Sequence, residues 1–267
     1  MSDDLATRHA AVQAVAREGG HLARRYFAAR GELKTSLKGV QDLVSEADRK
    51  VEDLLIERLQ HLFPEDGFLG EESGARGSHE RLWVIDPIDG TNNFLRGIPY
   101  WSVSIAYVKD EEAELGVIYD PMAEELYAAR RGAGVTRNGE TIRASDSDDL
   151  AKSVLGFAYS RSHPAENYSQ AVRQLLSSSG EYRRMGSAAL MMAHVADGRL
   201  DGFYSSQLNS WDVLAGVVLA REAGAWVSEF LTGDSLWRGN ALLACSPGLR
   251  GALLAILRDN GLPTGGA

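Results

Sequence analysis

Apolar positions recur at helical spacing at the start of the chain and at strand spacing further on. From Leu5 to Phe27, the residues Val12, Val15, Ala16, Leu22, Tyr26 and Phe27 fall at steps of three and four, one face of a helix, and Gly31 follows its end. Ser45, with Asp48 three places on, is placed to cap a second helix that Val51, Leu54, Leu55, Leu59 and Leu62 carry to Pro64. Strand-length runs come next: LWVI at 82–85, SVSIAYV at 102–108, ELGVIY at 114–119 and ELYAA at 125–129. Tyr119, Asp120 and Pro121 make a turn between two of them, and Asn138-Gly139 signals a tight hairpin.

The alternation continues in the second half. SVLGFAY at 153–159 reads as a strand and 165–178 as a helix ending at Gly180. Ser187 opens a helix closed by Gly198, another runs from Trp211 to Gly224, and a last helix starts near Leu249. AWVSEF at 225–230 and ALLACS at 241–246 supply two more strands. No internal repeat appears, and SDSDDLAK at 145–152 is the one seam. The expectation is a single domain over 1–267, with an N-terminal lobe to about 147 and a C-terminal lobe over about 148–262.

Charge narrows the partners. A net charge of −9 disfavours the electrostatic attraction to phosphate backbones that nucleic-acid binding needs, while leaving small phosphorylated substrates open if bound cations reverse the local field. The single cysteine, Cys245, cannot form an intrachain disulfide and sits in an apolar, turn-flanked segment that suits a buried thiol. The start MSDDLATRHA has no secretory pattern, and no window approaches the ~18 apolar residues of a membrane span. The expected location is the cytoplasm, away from any membrane.

The chemistry gathers in WVIDPIDGT at 83–91. A four-residue apolar strand delivers Asp86 at its end, Pro87 sets the next turn, and Asp89 returns toward the same point. Converging carboxylates suit magnesium, which takes oxygen ligands in near-octahedral array. Pro87 leaves the Ile88 carbonyl free of strand pairing as a further oxygen ligand. Gly90 permits close backbone approach, and Thr91 sits where a helix would begin, so its amide and hydroxyl can face a phosphate. Asp-Pro and Asp-Gly also mark ordinary turns. Two further acidic signals stand elsewhere: Glu71 and Glu72 between glycines, and Asp212 in the first turn of an apolar helix, where a plain dipole-stabilising acid is equally ordinary.

Together these stretches resemble the inositol monophosphatase family. The matching pieces are DLVSEAD at 42–48, GEES at 70–73, WVIDPIDGTNNF at 83–94, GSAAL at 186–190 and WDVLAG at 211–216, in family order. The bacterial cytoplasmic members look closest, in segments such as VIYDPM and RRMGSAAL. The resemblance implies an α+β fold, a layered αβαβα arrangement of alternating helix pairs and sheets, and a magnesium-dependent phosphomonoesterase in which metal-activated water attacks phosphorus directly.

Residue by residue, the resemblance implies that Glu71, Asp86 and the Ile88 carbonyl hold one magnesium, while Asp86, Asp89 and Asp212 hold a second; Glu71 with water reaches a third. Two ions about 3.5–4 Å apart stabilise both the attacking and the leaving oxygen. Thr91 would orient the attacking water, Asp48 would bond Thr91, and Glu72 would support Glu71. The amides of Gly90 and Thr91 would meet the phosphate, and Asp89, Gly186, Ser187 and Ala188 the leaving alcohol. Six residues before Trp211, where inositol-hydrolysing members commonly carry glutamate, stands Ser205. That departure keeps other substrates open: histidinol phosphate, fructose 1,6-bisphosphate or 3′-phosphoadenosine 5′-phosphate. The resemblance also implies a homodimer, to which the stretch Pro99, Tyr100 and Trp101 could contribute.

Other chemistries fit less well. The histidines, His9, His21, His61, His79, His163 and His194, are not spaced as a zinc pair on one helix face. A haloacid-dehalogenase-type site requires acids two apart, whereas Asp86 and Asp89 are three apart. Gly132-Ala133-Gly134 lacks a P-loop lysine. Arg183 and Arg184 can bind anions or make ordinary salt bridges. A phosphatase-like binding module with vestigial catalysis should have lost an acid, yet Glu71, Asp86, Asp89 and Asp212 are all present. A regulatory protein partner alongside catalysis leaves no mark in the sequence.

Overall fold

The structure is a computed structural model that describes residues 4–32, 35–39 and 42–266, with side chains over 4–31 and 46–266. Helix α1 (Asp4–Ala28) leads to a hairpin of β1 (Thr35–Gly39) and β2 (Asp42–Ser45), which runs directly into α2 (Glu46–Leu62). The Ser45 side chain expected to cap α2 lies outside the described residues. Next come β3 (Gly67–Gly70), β4 (Gly74–Arg76), β5 (Arg81–Asp89), a short α3 (Thr91–Arg96), β6 (Ser102–Lys109), β7 (Glu112–Asp120), β8 (Glu125–Arg130), β9 (Val135–Arg137) and β10 (Glu140–Thr141). These strands form one sheet in the order β10-β9-β8-β7-β6-β5-β3-β4.

A second sheet follows the link that holds SDSDDLAK. Strand β11 (Val154–Ala158), α4 (Ala165–Ser177), β12 (Glu181–Arg183), α5 (Ala188–Ala196), β13 (Gly202–Leu208), α6 (Ser210–Glu222), β14 (Trp226–Val227), α7 (Ser235–Arg238), β15 (Asn240–Cys245) and α8 (Arg250–Asp259) complete the described chain. The sheet order is β12-β11-β13-β15-β14.

Side-chain alternation builds five layers. Trp83, Ile85, Val103, Ile105, Tyr107, Val117 and Tyr119 face one way, packing with Val12, Val15, Val51 and Leu55 of α1 and α2. Leu82, Val84, Ala106, Val108 and Ile118 face the other way, onto α5 and α6. Those two helices also cover Phe203, Leu242 and Ala244 of the second sheet, whose opposite face carries Tyr204, Leu243 and Cys245 toward α4 and α8. Helix α6 is apolar on every side, buried from Val213 to Ala220, because sheets flank it on both faces. The order is therefore α1/α2, sheet, α5/α6, sheet, α4/α8: the layered α+β fold. Cys245 is fully buried in β15, and burial pushes its thiol up to about 12.

Three expectations change. AWVSEF shrinks to the two residues of β14. LWVI is only the first part of β5, which continues through Asp89. Asp86 pairs with Ser104 and Asp89 with Ser102, so three steps on β5 face two on β6, and the segment around Pro87 is a bulge inside the strand instead of a turn after it. Trp101 is fully buried against Phe27 and Phe94, while Pro99 and Ile98 beside it are exposed. Asn138-Gly139 does form the two-residue loop between β9 and β10.

Candidate active site

The β5 bulge turns two acids to one side of the sheet end. Asp86 is buried, and one of its oxygens accepts the Ile88 N–H at 3.0 Å, a local bond that fixes the carboxylate across the bulge. Asp212 arrives from the third residue of α6, where it accepts the Asn209 N–H at 2.7 Å. It is a helix-start acid and a member of the cluster at once. One ligand oxygen from each of Asp86, Asp89 and Asp212 lies within 4.8 Å of the others. Glu71, in the turn after β3, lies outside that group of three but near enough for its charge to act on Asp86.

Such a cluster is electrostatically costly without a cation. Burial, followed by the neighbouring charges of Glu71, Asp89 and Asp212, holds Asp86 well above the usual carboxylate range. Burial also raises Asp89 to about 6, against the hydrogen bonds from Ser187 and from the Ala189 and Ala188 backbone that favour its ionised form. All donors are oxygen, and the acids come from β5, α6 and the β3 turn. The residues fit a hard divalent cation.

A second set of contacts surrounds the acids. The Thr91 hydroxyl stands 3.0 Å from Asp48 Oδ1 and 3.0 Å from the Ile88 carbonyl, so its single proton has two acceptors. Asp48, in the first turn of α2, is 1% exposed. Gly90, at φ 102°, has the left-handed backbone that lets the chain turn from β5 into α3. A Cβ there would meet the carbonyls of Gly186 and Tyr100 at 3.2 Å each, so the glycine also allows the turn before α5 to approach. Glu72, with a side chain 6% exposed, lies 4.0 Å from Arg49.

Asp89 joins the two sheets' elements. It accepts the Ala189 N–H at 2.7 Å, the Ala188 N–H at 3.2 Å and the Ser187 hydroxyl, at the N-terminal end of α5. Ser187 is fully buried and also accepts the Leu190 N–H, so its hydroxyl serves Asp89 and the helix start. Ser205 is 1% exposed, and its hydroxyl donates to the Gln207 carbonyl at 3.1 Å.

This assembly recurs in known proteins. Residues 4–261 match the inositol monophosphatase family. The chain belongs to that family. It is 38% identical over 248 residues to the Nus factor SuhB of Escherichia coli K12, covering 91% of this chain and 93% of that protein. It is 39% identical over 252 residues to an inositol-1-monophosphatase of Mesorhizobium japonicum, covering 92% and 94%. The crystal structure of the extragenic suppressor protein suhB from Bartonella henselae superposes with a TM-score of 0.86 at 35% identity, covering 91% and 95%. Family membership supports a phosphatase. Among the described residues, no helix is long and apolar enough to cross a membrane.

Within this inositol monophosphatase fold, two contributors were invisible to motif reading by role. Asn93 donates its amide to the Tyr100 and Met185 carbonyls at 2.8 Å each, tying α3 to the turn at Gly186. Glu52 accepts backbone N–H groups from the Glu71 turn. Its only sequence signal is its place four residues after Asp48 on one face of α2.

Proposed function

We propose that this chain is a magnesium-dependent phosphomonoesterase acting on a small phosphorylated alcohol, an inositol monophosphate or a related polyol or sugar phosphate. The observation that carries the reading is the convergence of Asp86, Asp89 and Asp212 from β5 and α6 onto ligand oxygens within 4.8 Å of one another. Glu71, Asp86, the Ile88 carbonyl, Asp89 and Asp212 would hold two magnesium ions, with a third reached by Glu71. Bound there, magnesium supplies Lewis-acid stabilisation of phosphate charge and lowers the pKa of water.

The chain's own groups divide the remaining work. When the Thr91 hydroxyl donates to Asp48, its oxygen is left to accept from a water and aim it at phosphorus, with Asp48 as the terminus for the proton. The Gly90 and Thr91 amides would meet the phosphate oxygens, as the family resemblance implies. Asp89, held on the α5 end by three hydrogen bonds, fixes the side on which the alcohol departs, near Gly186, Ser187 and Ala188. Pre-set donors and acceptors of this kind act without reorganising during the reaction.

Support for inositol phosphates comes from the Mesorhizobium relative's name, and Ser205 in place of the family's common glutamate keeps other phosphomonoesters in view. The Escherichia coli relative's name, Nus factor, supports a second reading in which a regulatory binding role accompanies the phosphatase fold. A homodimer is proposed on the family resemblance, and sedimentation would read it. The functional test is phosphate release from inositol monophosphates, histidinol phosphate, fructose 1,6-bisphosphate and 3′-phosphoadenosine 5′-phosphate, with magnesium and with excess chelator. Magnesium-dependent release from at least one supports the proposal; no release from any of them, or equal release in chelator, counts against it.

A further inference from the structure

The turn that presents Glu71 is held from below by α2. Glu52, 2% exposed, accepts the Glu72 N–H at 2.9 Å on one oxygen and the Ser73 N–H at 2.8 Å on the other. Such an approach requires Gly70: a Cβ there would stand 2.6 Å from the Glu52 carboxyl carbon. Asp48 and Glu52 are four residues apart on α2, a like-charge spacing that is unfavourable on a helix. Both are buried, and each reaches a different part of the site: Asp48 bonds Thr91, Glu52 bonds the Glu71 turn. A locally unfavourable pair kept in the interior, each member hydrogen-bonded to the site, marks a functional constraint.

We infer that Glu52 is a positioning residue for the cation site, clamping the backbone of Glu72 and Ser73 while the Glu71 N–H holds the Ile85 carbonyl, so that the turn keeps Glu71 beside the acidic cluster. The inference rests on the reading of the acidic cluster as a metal site. Its physics is local. Glu71 and Asp86 repel when both are ionised, so the turn needs an anchor that does not depend on the metal. A carboxylate receiving two N–H bonds is such an anchor, stronger than a neutral acceptor because its charge assists both. Glutamine at 52 would set an NH2 group against one of the two N–H donors and open half of the clamp. Helix α2 thus holds Glu71 and Thr91 in one frame.

The experiment is a manganese titration followed by electron paramagnetic resonance, with circular dichroism to establish folding and phosphate release as a second readout. Glu52→Gln should weaken manganese binding by on the order of 10–100-fold, as loss of a group that orients a ligand does elsewhere. At saturating metal its phosphate release should return to within a few-fold of native, so the change lies in the metal concentration required. Gly70→Ala should act alike by pushing the carboxylate away. The double variant Glu52→Gln/Gly70→Ala should bind no more weakly than the worse of the two single variants, since both changes break the same clamp. Folded Glu52→Gln with native manganese affinity overturns the inference, and if that variant does not fold, native affinity in Gly70→Ala does so. A native protein that binds no manganese would instead remove the metal reading itself, whatever Glu52 does.

Discussion

The Thr91 hydroxyl lies 3.0 Å from Asp48 Oδ1 across 43 positions of sequence, joining the first residue of α3 to the first turn of α2. If the pair positions the attacking water together, removing either partner breaks the same interaction. Asp48→Asn, Thr91→Ala and the double variant should therefore show losses in kcat/KM that do not add, the double being about as slow as the worse single. Additive free-energy losses would mean that the two act separately.

The pH dependence of stability carries the signature of the acidic cluster. The folded values of Asp86 and Asp89 both lie above the ordinary carboxylate range, Asp89 at about 6. The protonated forms fit the metal-free fold, so their contribution is fully present below the unfolded pKa and is lost as pH rises through the folded values. In excess chelator, Tm should fall between pH 5 and 7.5, and the rise in Tm produced by magnesium should grow over the same window. A magnesium effect equal at pH 5 and 7.5 would contradict this.

Stability alone should respond to a buried charge pair outside the acidic cluster. Arg8 and Asp66, each 5% exposed, are 3.0 Å apart, and Asp66 also accepts the Trp83 indole N–H at 3.0 Å. Removing Arg8 takes away the buried partner of Asp66 and leaves it the more exposed Arg81 at 3.6 Å and the Trp83 indole. Arg8→Ala should cost on the order of 1–3 kcal/mol in denaturant unfolding while leaving kcat/KM within about twofold. Native stability, or a large loss of activity in the folded variant, would refute it.

The layering was legible through the family resemblance; the strands themselves are buried on both faces, Trp83 and Ile85 turning one way and Leu82 and Val84 the other, so no polar alternation marks the layers in the sequence. The bulge was not legible: Pro87 reads as a strand stop, and only pairing with Ser104 and Ser102 of β6 carries the strand on to Asp89. Strands β3 and β4 are four and three residues long, too short for periodicity to show. The acids of the site could be named from motif and resemblance, but Glu52 could not be assigned a role, because it works through backbone N–H groups that no side-chain pattern reveals.

Substrate preference should follow from Ser205. Its hydroxyl is engaged by the Gln207 carbonyl, so one charge-assisted bond to a substrate hydroxyl, about 1.5–3 kcal/mol, is missing relative to a glutamate. The native chain should separate inositol 1-phosphate from other phosphomonoesters only weakly. Ser205→Glu should raise that relative efficiency by roughly tenfold or more while lowering Tm, because the position is buried. A native preference of about a hundredfold for inositol 1-phosphate, with no relative gain in the variant, would overturn the assignment.

The most direct measurement is the initial rate of phosphate release against magnesium concentration, in the native chain and in Asp89→Asn, with folding verified for both. The native rate should rise saturably with magnesium and vanish in excess chelator, and Asp89→Asn should be slower by at least about a hundredfold at every concentration, as expected when a group acting on the transition state is removed. Full native turnover in chelator, or a folded Asp89→Asn with native rates, would contradict the account.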